Sequence, residues 1–101
     1  MSLRMKQGVS PKNIKPECIL GMNLAASVFD DYGLDCIITS ISEGRHSERS
    51  RHYIGYAFDL RRRHIPNDEI LALIHEHLIC ELGDEYAVIL ERTHFHVQYN
   101  G

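Results

Sequence analysis

The sequence predicts an α+β fold, in which an antiparallel sheet carries its helices on one side. Two stretches have apolar residues at helical spacing, and four shorter stretches have the continuous or alternating apolar residues of strands. These helices and strands do not form a regular βαβ series, which favours the α+β class. With 101 residues, 44% of them hydrophobic and 25% charged, the chain fits a single compact domain.

The N-terminal end differs in composition from the rest of the chain. Residues 1–14 are polar and contain Gly8 and Pro11. This composition indicates a flexible N-terminal arm, followed by a single domain over residues 15–101.

Two amphipathic helices are predicted. The first covers residues 15–32, and Gly33 is a typical stop signal at its C-terminal end. Pro66 and Asn67 begin the second helix, with carboxylates in its first turn, and Gly83 ends it. The predicted strands cover residues 36–39, 56–62, 86–90 and 94–99, with a polar loop over residues 40–51 and a turn over residues 91–93.

Side chains alternate between the two faces of a strand, so polar groups of two strands can share one face of the sheet. Gly55, Ala57 and Asp59 share a face, and the first two leave open volume beside the carboxylate. His94 and His96 share a face of the last strand. If the two strands are neighbours, Asp59 and His96 come together. The opposite faces supply the core residues Tyr56, Phe58, Leu60, Phe95 and Val97.

Two imidazoles and one carboxylate can hold a zinc ion and leave its fourth position to water, as in catalytic zinc sites. The sequence offers them in Ser50-Arg51-His52-Tyr53-Ile54-Gly55-Tyr56-Ala57-Phe58-Asp59-Leu60 and His94-Phe95-His96. This pattern resembles the zinc D-alanyl-D-alanine carboxypeptidases, the phage L-alanyl-D-glutamate endopeptidases and the hedgehog signalling domain that shares their fold. The resemblance covers roughly residues 16–99.

The resemblance implies a role for each matching residue. His52, Asp59 and His96 would be the zinc ligands. His94 would stabilise the negative charge that develops on the substrate, and Glu91 would be the general base that takes a proton from the water beside the zinc.

The position of Glu91 leaves two alternatives open, because this residue lies five positions before His96 and three before His94. Either a turn at Arg92 and Thr93 brings the carboxylate into the site, or His94 is the ligand and His96 its neighbour. We favour His96, because the residues after it fit the strand that follows the metal histidine. Glu91 could also be an ordinary charge at a strand end.

The polar loop carries the candidates for substrate binding. Arg45 could pair with a substrate carboxylate through two parallel hydrogen bonds, and Ser50 could line the rim of the site. The competing interpretation of Arg45 is a solvated loop arginine.

The resemblance implies a zinc-dependent peptidase of peptidoglycan stem peptides, of the D-Ala-D-Ala carboxypeptidase or the L-Ala-D-Glu endopeptidase type. The alternative is a zinc-binding interaction module without catalysis, as in the hedgehog domain. The loop lacks the dense carboxylates that hedgehog uses for calcium, so no calcium site is expected. Short relatives of this size resemble phage proteins.

His75-Glu76-His77 resembles the start of a helical zinc motif, but residue 79 is isoleucine where a second histidine is required. On a helix His75 and His77 point in divergent directions and cannot bind one ion together. We therefore predict that both are exposed residues of the second helix.

Composition and charge bear on location and partners. The net charge of −3 argues against a nucleic-acid partner. Arg61-Arg62-Arg63 is then predicted to be a solvated strand end. Cys18, Cys36 and Cys80 are scattered among apolar residues and are interpreted as buried thiols in a reducing compartment. Since neither a signal peptide nor a membrane span is apparent, we expect a cytoplasmic protein that reaches peptidoglycan through phage-controlled release.

Overall fold

A computed structural model of the chain describes residues 3–10, 14–41 and 56–100. It contains two helices and a five-stranded sheet, which confirms the α+β prediction. Both predicted helices and all four predicted strands are present, with bounds within two residues of those expected. The elements are β1 Leu3–Met5, α1 Pro16–Asp31, β2 Cys36–Ser40, β3 Ala57–Arg61, α2 Asp68–Leu82, β4 Tyr86–Leu90 and β5 His94–Tyr99.

The strands lie in the order β1-β2-β3-β5-β4. The pairs β2–β3, β3–β5 and β5–β4 are antiparallel, whereas β1 is parallel to β2, so the sheet is mixed rather than purely antiparallel.

Strand β1 lies within residues 1–14, the segment for which composition predicts a flexible arm. An edge strand presents unsatisfied backbone groups, and β1 supplies partners for those of β2. The pairing continues beyond β1, where the Lys6 amide donates to the carbonyl of Ile38 at 2.8 Å. Leu3 packs against the hydrophobic core. A short N-terminal strand is therefore joined to the sheet by both hydrogen bonds and apolar contact.

The ends of α2 follow the local sequence signals. The side chain of Asn67 accepts a hydrogen bond from the Ile70 amide at 2.9 Å, which satisfies one of the free donors of the first turn. Gly83 lies at φ 84°, a backbone conformation that glycine adopts without strain. In the described ranges, no helix is long and apolar enough to cross a membrane.

Both helices pack against one face of the sheet. Four side chains that face the helices are completely buried, as the alternation along the strands predicts. They are Phe58, Leu60, Phe95 and Val97. α1 approaches the sheet closely at Gly21, where a Cβ atom would lie 3.0 Å from the Tyr86 ring. The opposite face carries Asp59, His94 and His96, and we call it the open face. The helical side of the core contains Cys18, Met22, Ala25, Val28, Phe29, Leu71, Ile74, Leu78 and Leu82.

The prediction that His75 and His77 are exposed is wrong, because both are half-buried. Nε2 of His75 donates to the carbonyl of Val88 in β4 at 3.0 Å. His77 packs edge-on against the ring of Tyr32, with 6.0 Å between the ring centroids. Each histidine therefore joins α2 to a different neighbour.

The prediction of three buried cysteines holds for two of them. Cys18 and Cys36 are buried, and burial raises the pKa of each thiol to about 12. Cys80 is exposed, because its position on α2 lies off the apolar stripe that contacts the sheet.

Candidate metal centre

The site is built where β3 and β5 run side by side on the open face. Asp59 lies directly opposite His96 in the antiparallel register. The Oδ1 atom of Asp59 is 3.1 Å from Nδ1 of His96, and the two side chains are only 13% and 16% exposed. The two strands thus bring together two residues that are far apart in the sequence, as their alternation predicted.

A second imidazole reaches the same carboxylate. His94 lies two residues before His96 and therefore on the same face of β5. Its Nε2 atom is 3.5 Å from Oδ2 of Asp59. Each oxygen of the aspartate thus faces a different ring.

Glu91 joins this group from the turn between β4 and β5. Its backbone amide donates to the carbonyl of His94 at 2.8 Å, and its own carbonyl accepts from Arg62 at 2.8 Å. Its Oε1 atom lies 3.0 Å from Nε2 of His94, while 47% of its side chain is exposed. The turn therefore brings the Glu91 carboxylate to the ring nitrogen of His94 that also faces Asp59.

Gln98 and Thr93, which are not among the predicted site residues, contact the two rings. Oε1 of Gln98 accepts from Nε2 of His96 at 3.2 Å, and Nε2 of Gln98 donates to Asn100 at 2.8 Å. Oγ1 of Thr93 lies 2.8 Å from Nδ1 of His94. A signal for Gln98 was present in the sequence, because residues 94, 96 and 98 follow the period of a strand and share the open face.

The surroundings of His96 favour its charged form. The hydrogen bond to Asp59 raises the pKa of this histidine, and the bond to Gln98 and the charges of Asp59 and Glu91 act in the same direction against the opposing effect of burial. Both ring nitrogens face oxygen acceptors, which fits an imidazolium with two donors. Without a metal, the two side chains form an ion pair.

The same geometry is compatible with two ligands of one ion. With bonds of about 2.0–2.1 Å and tetrahedral angles, two zinc ligands stand roughly 3.3 Å apart, close to the separation of Asp59 and His96. Nδ1 would face the metal, and Nε2 would keep its hydrogen bond to Gln98, an arrangement usual for metal-bound imidazoles.

The third predicted ligand, His52, lies outside the described residues, as do Arg45, Ser50 and Gly55. Within the described ranges, no group of three or more His, Cys, Asp or Glu side chains is arranged to hold a metal ion. Two of the three predicted ligands are therefore adjacent, and the structure does not describe the third.

A cleft of about 360 Å³ adjoins the site. Arg61 and Arg63 line it, so two of the three arginines interpreted as a solvated strand end face this cleft. Arg62 instead donates to the backbone of Glu91. Among the residues that the structure describes, those that line the cleft are Lys6, Thr39, Ser40, Asp59, Arg61, Arg63, Thr93 and His94.

Compared with models of protein families, with curated proteins and with solved structures, the chain matches none.

Proposed function

We propose that the chain is a zinc-dependent peptidase that hydrolyses peptide bonds of peptidoglycan stem peptides. The observation that carries the proposal is the Asp59 carboxylate between His94 and His96, with Glu91 within reach of His94. The similarity of the two sequence motifs to zinc carboxypeptidases and endopeptidases supplies the substrate class.

In this proposal His52, Asp59 and His96 hold the ion. Zinc at these ligands would lower the pKa of a bound water and polarise the peptide carbonyl. Asp59 and His96 come from paired strands, so their separation is fixed by the sheet rather than by a loop. Once Nδ1 of His96 has lost its proton, the hydrogen bond from Nε2 to Gln98 would hold the ring in the tautomer that leaves Nδ1 available to the ion.

Glu91 is the general base of the proposed reaction. Its carboxylate is half-exposed and can accept a proton from the attacking water, then return it to the leaving amine. The hydrogen bond between its backbone and His94 keeps the carboxylate at the edge of the site.

His94 is the proposed donor to the oxygen that gains negative charge during attack. Its Nε2 atom faces both Asp59 and Glu91, and Thr93 at the other ring nitrogen restrains the ring. A donor fixed before the reaction stabilises developing charge without having to reorganise.

A zinc-binding module without catalysis is the second candidate. The observation in its favour is the 3.0 Å contact between Glu91 and His94, because a carboxylate that already contacts a neighbouring ring nitrogen is less available as a base. In that case the chain would bind zinc stoichiometrically and cleave nothing.

Glu91→Gln separates the two candidates. The protein is purified, its zinc content is measured, and it is incubated with peptidoglycan stem-peptide fragments whose products are identified by mass spectrometry. Loss of the general base is expected to lower the rate by about 10²–10⁴-fold with zinc retained. Arg92→Gln, an exposed change at the next position, serves as the matched control and should retain activity.

The proposal of catalysis fails if the parent protein holds zinc and cleaves no fragment. That result leaves the binding module as the better account. If the parent cleaves and Glu91→Gln is equally active, the binding module is excluded and Glu91 is not the general base.

A further inference from the structure

Three basic side chains from separate parts of the chain line the cleft beside Asp59 and His94. Lys6 follows β1, Arg61 is the last residue of β3, and Arg63 lies in the turn after it. Lys6 reaches the cleft because its backbone amide is bonded to Ile38 in β2. The position of the N-terminal segment in the sheet therefore determines the charge of the cleft.

Within the described residues, none of these three cations forms an ion pair with an acidic side chain. Other basic groups nearby have partners, since Arg4 pairs with Asp35 at 3.4 Å and Arg62 donates to the Glu91 carbonyl. Asp59, the one carboxylate among the described residues that line the cleft, faces the two histidines.

Like charges around one concave surface repel each other and create a positive potential that attracts anions. Three hydroxyl groups add neutral donors at the same place: Thr39, Ser40 and Thr93 line the cleft with the cations. Arginine matches the planar geometry of a carboxylate or phosphate with two parallel hydrogen bonds, and hydroxyls can satisfy the remaining oxygens.

We propose that this cleft binds a small ligand with two negative charges, held by Lys6, Arg61 and Arg63. The charge of the ligand is inferred from the described residues of the cleft, where three cations stand against one carboxylate that already contacts two histidines. The volume of about 360 Å³ is at the lower end of the range of small-molecule sites. Phosphates and dicarboxylates share the required chemistry, and the experiment below distinguishes them.

This inference does not depend on zinc or on hydrolysis, because none of the three cations is a proposed metal ligand or catalytic group. It also differs from the substrate contact predicted for Arg45, which lies outside the described residues.

The test is a titration of the purified chain, without added metal and at constant ionic strength, with inorganic phosphate and, separately, with succinate. Binding is followed by amide chemical shifts of residues 39, 61 and 93. Saturable binding of either anion is expected, and the anion that binds more tightly identifies the ligand class. Arg61→Gln and Lys6→Gln should each weaken it about tenfold or more, as expected for loss of a charged hydrogen bond.

Arg92→Gln removes the same charge at an exposed position that does not line the cleft, and it should change the dissociation constant by less than about twofold. Thermal unfolding of each variant shows whether the fold is retained. Failure of both anions to bind saturably would overturn the proposal. Equal weakening by Arg61→Gln and Arg92→Gln would also overturn it, because net charge alone would then explain the attraction.

Discussion

The two faces of the β3–β5 strand pair differ although the same strands build them. The face toward the helices holds Phe58, Leu60, Phe95 and Val97, all without solvent exposure. The open face holds Asp59, His94, His96 and Gln98. Asp59 contacts both histidines across the two strands, and His96 bonds to Gln98 along β5. Burial of apolar area stabilises the first face, whereas the second places charges next to one another at some cost in desolvation. The comparison separates residues that maintain the fold from residues that are available for chemistry.

The largest expected effect comes from an apolar truncation on the buried face. Phe95→Ala should lower the free energy of unfolding by about 3–5 kcal/mol, because it leaves a cavity between Phe29 and the sheet. Ile89, on the open face opposite His96 and 50% exposed, is the matched control. Ile89→Ala should cost about 1 kcal/mol or less. Urea unfolding followed by circular dichroism measures both, and equal losses would contradict the division between the faces.

A smaller effect is expected from an orienting residue on the open face. Gln98→Ala removes the acceptor at Nε2 of His96 and should weaken zinc binding by about 10–100-fold. Gln98→Glu retains an acceptor and should recover most of the affinity. Competition with a chromogenic chelator gives the dissociation constants. An unchanged affinity in Gln98→Ala would show that this contact does not orient a ligand.

The smallest effect is the pH dependence of the metal-free protein. The pKa of His96 is raised in the folded state, so its pair with Asp59 stabilises the fold fully below the unfolded pKa of about 6.5. That stabilisation is lost as the pH rises through the folded-state pKa. Unfolding in urea at a series of pH values should show this loss in the parent protein and not in His96→Gln. If the free energy of unfolding depends on pH equally in the parent and in His96→Gln, another group causes the dependence.

Much of the fold follows from local signals in the sequence. The period of apolar residues predicted α1, α2 and four strands, and Asn67 and Gly83 indicated the ends of α2. Alternation also predicted that Asp59 and His96 would share a face. Their contact required only that β3 and β5 be neighbours, which they are.

Other features depend on contacts that local patterns do not contain. The pairing of Leu3–Met5 with β2 is set by a distant strand edge, and a polar composition alone indicated a flexible arm instead. Arg61 shares the open face with Asp59 by alternation along β3. The direction of Arg63 toward the cleft depends on the turn after β3, and a run of three arginines does not specify it. The helical pattern alone predicts that His75 is exposed. It is half-buried because it bonds to the carbonyl of Val88 in β4, and a local pattern does not contain this contact.

The central claim is that Asp59 and His96 share one ion on the open face, and a zinc titration of the metal-free protein tests it most directly. Ring nitrogen resonances of His96, observed by NMR, report which atom binds. We expect about one equivalent of zinc per chain with Nδ1 of His96 coordinated, and loss of this binding in both Asp59→Asn and His96→Gln. Absence of zinc binding, or stoichiometric binding that persists in both variants, would contradict the account.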